Sequence, residues 1–274
     1  MSRKVIITVA PTGNVPTKEM TPHLPVTAKE MAEQVYECWK EGAAVAHLHA
    51  RDLEGVPTSD KDTYKEIVDC LAEKKDCDII VQLSTGGRAG NSYTERGQML
   101  CLAPEMASLA TGSSNFPAKA NFNDPDTINY LGAEMNKYNV KPEIEVFDAA
   151  MLSNAVHLAK KGFLKSPLQI NFVMGVPGSI PATAKNLFFL YESLPEDCTW
   201  TITAIGRRHV ELTTMALALG GHVRVGLEDN VYYDYENKTL ATNVSLVKRV
   251  KGIILAMGLE IATPDEARAM LSMK

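Results

Sequence analysis

The sequence has no long hydrophobic run, no low-complexity stretch, no cysteine pair at C-x-x-C spacing and no strong excess of charge of either sign. Each absence removes a class of protein. The first apolar run, in MSRKVIITVAPTG, lasts six residues before Pro11. That is too short for a signal-peptide core, and nothing approaches the roughly 20 apolar residues of a membrane-spanning helix. The five cysteines, at 38, 70, 77, 101 and 198, are odd in number and lack metal or redox spacing. They read as reduced thiols of a cytoplasmic protein. With 28 basic against 33 acidic residues the formal net charge is −5, which offers no field to nucleic acid or to a membrane surface. Gly 18 and Pro 14 in 274 residues are ordinary usage, and 45% hydrophobic residues are enough to fill a core. Collagen-like and disordered chains are thereby excluded.

What the sequence does have is alternation. Short β-branched or apolar runs lie at 5–10, 43–49, 78–84, 105–111, 143–148, 168–174, 199–205 and 222–228. Segments of helical period lie between them at 27–41, 60–75, 94–102, 125–138, 149–161, 181–194, 207–219 and 240–258. Thr27 with Glu30 carries a capping-box signature, and Asp60 and Asp124 stand at N-cap positions. Eight strand–helix units with no linker predict an α/β chain folded as a single-domain (β/α)8 TIM barrel over 1–274. The strand runs are mostly continuous and apolar, as a parallel sheet covered on both faces requires.

Nearly every strand run ends in small or polar residues: APTGN, HLHARD, QLSTGG, LATGSSN, EVFD, VMGVPGS, AIGRR and GLEDN. Barrel enzymes build their sites at those ends. In the second strand His47 and His49 are two residues apart, so both imidazoles point to one side. Paired imidazoles at a strand end suit zinc or a similar divalent ion. A zinc site open to substrate needs a third protein ligand, and Glu228 at the end of the eighth strand is the candidate. Alternation along HVRVGLE puts His222, Arg224, Gly226 and Glu228 on one side, with Asp229 following at the mouth. The competing reading is a plain Arg–Glu pair inside the barrel.

These motifs resemble the β-keto acid cleavage enzymes, the family typified by 3-keto-5-aminohexanoate cleavage enzyme. The resemblance runs from APTGN at 10–14 to EAR at 266–268. It is carried by HLHARD (47–52), QLSTGGR (82–88), PEMASL (104–109), GSSNF (112–116), PEIEVFD (142–148), NFVMGVPG (171–178), AIGR (204–207) and GGHVRVGLEDN (220–230). It implies a zinc ion on His47, His49 and Glu228, with Asp229 as general base and Arg224 orienting it. It implies substrate contacts from Ser84 and from a fourth-strand hydroxyl, with Ser108 the match and Thr111 its competitor. Of the fifth-strand acids, alternation puts Glu143 and Glu145 on the same side, and the family pattern favours Glu143 as the pocket residue. The implied reaction converts a β-keto acid and acetyl-CoA into acetoacetate and a new acyl-CoA by Claisen exchange. A cytoplasmic homotetramer is the implied assembly. Beside Arg224 and a metal, Asp229 is expected to keep a low pKa.

The glycine-rich stretches GVPGS (175–179) and ATGSSN (110–115) are either anion-binding loops or tight turns. Arg207 and Arg208 after the seventh strand are candidates for the phosphates of CoA. Ser84 in LSTGG does not sit in a G-x-S-x-G nucleophile elbow. A zinc-dependent barrel hydrolase of the amidohydrolase kind needs further histidines at strand ends, but His157 falls in a helix and His222 at a strand start, leaving only His209. A non-catalytic metal-binding barrel is the remaining alternative. The first-strand loop APTGNVPTK has no carboxylate before Glu19. An uncharged or anionic acyl chain is therefore expected to be preferred over an amino-substituted one.

Overall fold

The computed structural model describes residues 2–87 and 91–273. Among them, eight parallel strands close into a barrel: β1 (Ile7–Val9), β2 (Val45–Leu48), β3 (Ile80–Leu83), β4 (Met106–Ala110), β5 (Lys141–Val146), β6 (Leu168–Met174), β7 (Cys198–Ala204) and β8 (His222–Val225). Each pairs with its neighbours in chain order, and β8 closes on β1. The helices follow one per strand: α1 (Ala28–Lys40), α2 (Lys61–Ala72), α3 (Tyr93–Gly97), α4 (Pro125–Lys137), α5 (Ala149–Lys160), α6 (Ala184–Glu192), α7 (His209–Ala218) and α8 (Asn243–Ala256). The expected barrel is thus the observed one, with every predicted strand in it. The predicted 94–102 helix is split, α3 giving way to a 3-10 turn over Gln98–Leu102.

Local chemistry sets the helix starts. Thr27 and Glu30 form the expected capping box, and Asp60 and Asp124 cap α2 and α4 by accepting from Thr63 and Thr127. Outward-facing strand residues such as Ile7, Leu48, Leu109, Ile144, Phe172 and Ile202 join the helices in the main apolar core. The inward face departs from the expectation of apolar residues on both sides of the sheet. Gln82, Glu143, Gln169, Asn171, Thr201, Thr203 and Arg224 are buried polar residues inside the barrel. Most are paired with one another: Gln169 donates to Thr201 (2.9 Å), Asn171 to Glu143 (3.1 Å) and Thr203 to Asn171 (2.8 Å). Such pairing offsets the cost of burying polar atoms, and the Gln82 Nε2 is the exception without a partner.

The bottom of the barrel is apolar. Ile6, Ala44, Val45, Ile80 and Met106 form a plug with Ala262, Ala267 and Leu271. A ninth helix, α9 (Pro264–Met270), supplies Ala267, and Lys4–Val5 pair in parallel with Glu260–Ile261 to hold the two chain ends together.

Candidate active site

A cavity of about 280 Å³ opens at the C-terminal ends of the strands, floored by His49, Ser84, Glu145, Arg224, Glu228 and Asp229. β2 delivers both histidines. The β8 strand stops at Val225, so Glu228 does not arrive by strand alternation. A tight turn in which Asp229 and Asn230 donate to the Gly226 carbonyl folds the acidic pair back over the mouth. Gly13, at φ +63°, makes room for it: a Cβ there would lie 2.3 Å from the Glu228 Cγ.

The imidazoles are held from behind. His47 Nδ1 is 2.6 Å from the Gln82 Oε1, and His49 Nδ1 is 3.0 Å from the Asn14 Oδ1. With amide oxygens facing Nδ1, the ring protons sit there, and both Nε2 lone pairs are left bare, 3.2 Å apart. Burial, reinforced by Arg224, pushes the His47 pKa down to about 3, so that ring is neutral. Glu228 Oε1 lies 3.3 Å from the His49 Nε2, and Oε2 lies 3.8 Å from the His47 Nε2 with no hydrogen-bond partner. Three groups able to offer an electron pair thus converge.

The charge balance agrees. Arg224 donates through Nε and Nη2 to Asp229 (both 3.1 Å), through Nη2 to Glu228 (2.6 Å) and through Nη1 to Glu145 (3.3 Å). One guanidinium thus faces three carboxyl groups, more acids than cations. Burial lifts Glu145 to about 7 despite Arg224. Burial would also raise Glu228, but Arg224 holds it well below the usual carboxylate range. A divalent cation on His47, His49 and Glu228, whose donor atoms lie within 4.8 Å of one another, fits both the bare lone pairs and the surplus of acids.

Two expectations of cavity-lining residues need correction, the acid of the fifth strand and the hydroxyl of the fourth. Arg224 by itself does not hold Asp229 low. Burial lifts its carboxyl to about 7, assisted by Glu228 and opposed by the Arg224 fork. Glu145, not Glu143, lines the cavity; Glu143 sits a layer deeper, bonded to Asn171. Neither fourth-strand hydroxyl lines the cavity. Ser108 lies level with Glu143 and accepts from the Thr85 N–H, while Thr111 donates to the Met151 carbonyl. The two glycine-rich loops serve each other, with Gly178 so close to Asn115 that a Cβ would be 2.0 Å from its carbonyl oxygen.

Ser84 is in the cavity wall, accepting from the Gly86 N–H at 3.1 Å. Arg88 of the same motif lies outside the described residues. Arg207 and Arg208 are exposed beyond β7, and Arg207 is near enough to Tyr235 on the cavity wall to influence its ionisation. His209 is engaged by the Gly206 carbonyl and Arg249, and His222 by the Ile6 N–H, so neither completes a hydrolase-type metal centre.

Two buried arginines were not singled out from the sequence. Arg51 donates to Thr12 and to the carbonyls of Gly13, Pro16 and Gly55, fixing the loop that carries Asn14. Arg96 ties Thr85 to Phe122 and Asn123. Arg51 falls within HLHARD, the one signal that could have marked it.

Comparison with known proteins bears on this geometry. The chain matches the family model for beta-keto acid cleavage enzyme over residues 4–273. It is 44% identical over 276 residues to a 3-keto-5-aminohexanoate cleavage enzyme of Fusobacterium nucleatum subsp. nucleatum, covering 100% of both chains. It is 41% identical over 277 residues to a 3-oxoadipate:acetyl-CoA acetyltransferase of Cupriavidus necator, covering 100% of this chain and 96% of that one. A solved structure of ObcA in ternary complex with a C4-CoA adduct and oxalate superposes with a TM-score of 0.76 at 23% identity, over 92% of this chain and 68% of that one, a likeness of fold. With a family match across nearly its whole length and relatives of this closeness, the chain belongs to the β-keto acid cleavage enzyme family.

Proposed function

We propose that the protein exchanges acyl groups between a β-keto acid and acetyl-CoA, giving acetoacetate and a new acyl-CoA. The observation that carries this reading is the convergence of two bare imidazole nitrogens and an unpartnered Glu228 oxygen beside the Arg224–Asp229 pair. Relatives named for 3-keto-5-aminohexanoate cleavage and for 3-oxoadipate with acetyl-CoA support the reaction class. His47, His49 and Glu228 would hold a divalent ion, zinc by the preference of such a donor set, which supplies a Lewis acid for the keto oxygen and carboxylate.

Asp229 accepts the proton from C2 of the keto acid. The carbon so activated bonds to the acetyl carbonyl carbon and CoA thiolate departs. The thiolate then adds to the original C3 carbonyl, the C2–C3 bond breaks, and the acetoacetate carbanion regains its proton from Asp229. Raised toward neutrality by burial, Asp229 is a stronger base than an exposed carboxylate. Arg224 holds both of its oxygens and fixes the direction of approach. Ser84 is assigned to the substrate carboxylate, and Arg207 with Arg208 to the phosphates of CoA. The reading includes a cytoplasmic homotetramer, which light scattering on the purified protein would check.

The test is a keto acid labelled at C1 and C2, incubated with unlabelled acetyl-CoA. The label is expected in acetoacetate and the remaining acyl carbons on CoA, with no product when acetyl-CoA is omitted. Label in free acetate or carbon dioxide, with acetyl-CoA unconsumed, would overturn the reading.

A further inference from the structure

The cavity beyond its charged floor is walled by Val15, Met20, Phe116, Phe147, Val176 and Ile205. We infer that the acyl chain of the β-keto acid is uncharged, carrying neither an ammonium nor a second carboxylate. The inference rests on the exchange reaction proposed above and identifies the substrate class of that site.

A cationic chain needs a carboxylate in the wall. The acids that line the cavity are Glu145, Glu228 and Asp229, and all three are engaged by Arg224 on the floor. Glu19, the first acid in the loop after β1, is exposed, accepts from Thr17 and does not line the cavity. The amide oxygens that line the cavity are engaged too: the Asn14 Oδ1 faces His49 and the Asn121 Oδ1 accepts from the Gly87 N–H.

An anionic chain needs a cation. Among the described residues Arg224 is the one basic side chain besides His49 that lines the cavity, and it is enclosed by three carboxylates. Asn14, which is bonded to His49, is followed in the chain by Val15 and Pro16, and these two line the cavity together with Met20. A charge placed beside them has no partner among the described residues, whereas methylenes gain from apolar contact.

Three acids of similar length test the inference: 3-oxohexanoate, 3-keto-5-aminohexanoate and 3-oxoadipate, each with acetyl-CoA, reading the new acyl-CoA by mass spectrometry. The neutral acid is expected to show kcat/KM on the order of 10-fold or more above both charged acids. Met20→Glu, which leaves the floor intact, is expected to move the ratio toward the amino-substituted acid by on the order of 10-fold. A charged acid equal to or better than 3-oxohexanoate in the wild type overturns the inference and leaves the exchange reaction standing. No acyl-CoA from any of the three overturns the exchange reaction, and the inference with it.

Discussion

At the bottom of the barrel Ile6, Val45, Ile80 and Met106 close against Leu271 with no charged group among them. At the mouth, one guanidinium, three carboxylates and two imidazoles lie buried within reach of one another. The two ends share strands but not tasks. Burying charge costs free energy that pairing recovers only in part, so the mouth detracts from stability while the apolar bottom and the helix-covered outer layer supply it. Side chains at the mouth are held by single directed bonds, such as Gln82 on His47 and Asn14 on His49. Those at the bottom are held by shape. Substitutions at the mouth should change chemistry and spare the fold, and those at the bottom the reverse.

The strongest challenge to that separation is His49→Ala. It should abolish divalent-ion binding and lower turnover by on the order of 10³-fold or more, because a Lewis acid contributes several kcal/mol to the transition state. The thermal midpoint of the chelated variant should stay near that of chelated wild type. Full metal content by elemental analysis would remove His49 from the ligand set.

Asp229→Asn keeps the volume and removes the proton acceptor. Turnover should drop by roughly 10²–10⁴-fold while metal content persists. A wild-type rate would pass the base to Glu145, the other cavity carboxylate raised to about 7.

At the other end, Leu271→Ala should cost about 2–5 kcal/mol in denaturant unfolding, because Leu271 is fully enclosed in the plug. Its kcat and metal affinity should match wild type. A parallel loss of activity would mean that the two ends are mechanically coupled.

This division also explains what could be read from the sequence. The strands were legible as short β-branched or apolar runs between segments of helical period, a local pattern. The histidine pair was legible because H-x-H on a strand fixes a shared side whatever the surroundings. Depth was not legible. Glu143 and Glu145 share a side, and only the stagger of neighbouring strands puts one in the cavity wall and the other beneath it. The Arg224 pairing that lowers Asp229 is evident in sequence spacing, while the burial that raises it is not. Arg51 and Arg96 look like surface charges until the loops they tie together are assembled. α9, seven residues long, finds its place through the pairing of Glu260–Ile261 with Lys4–Val5, which no local pattern encodes.

The smallest effect lies again at the bottom, where His222 accepts a hydrogen bond from the Ile6 N–H at 3.1 Å. Burial, with Arg3 nearby, lowers its pKa from 6.5 to about 4. Between those values the unfolded chain binds a proton there that the folded chain refuses, so acidification from pH 6.5 to 4 favours unfolding. Nothing is lost above pH 6.5, and the loss grows to about 3 kcal/mol at most by pH 4. His222→Asn retains an acceptor toward Ile6 but cannot take up a proton, so its unfolding free energy should fall less steeply over that range. A smaller side chain also leaves space, which lowers stability by a similar amount at every pH and does not change the slope. Urea unfolding of both proteins at pH 7, 5.5 and 4.5 would measure the difference. Parallel pH profiles would mean that His222 is protonated in the folded barrel and that the bottom is less dry than its apolar plug implies.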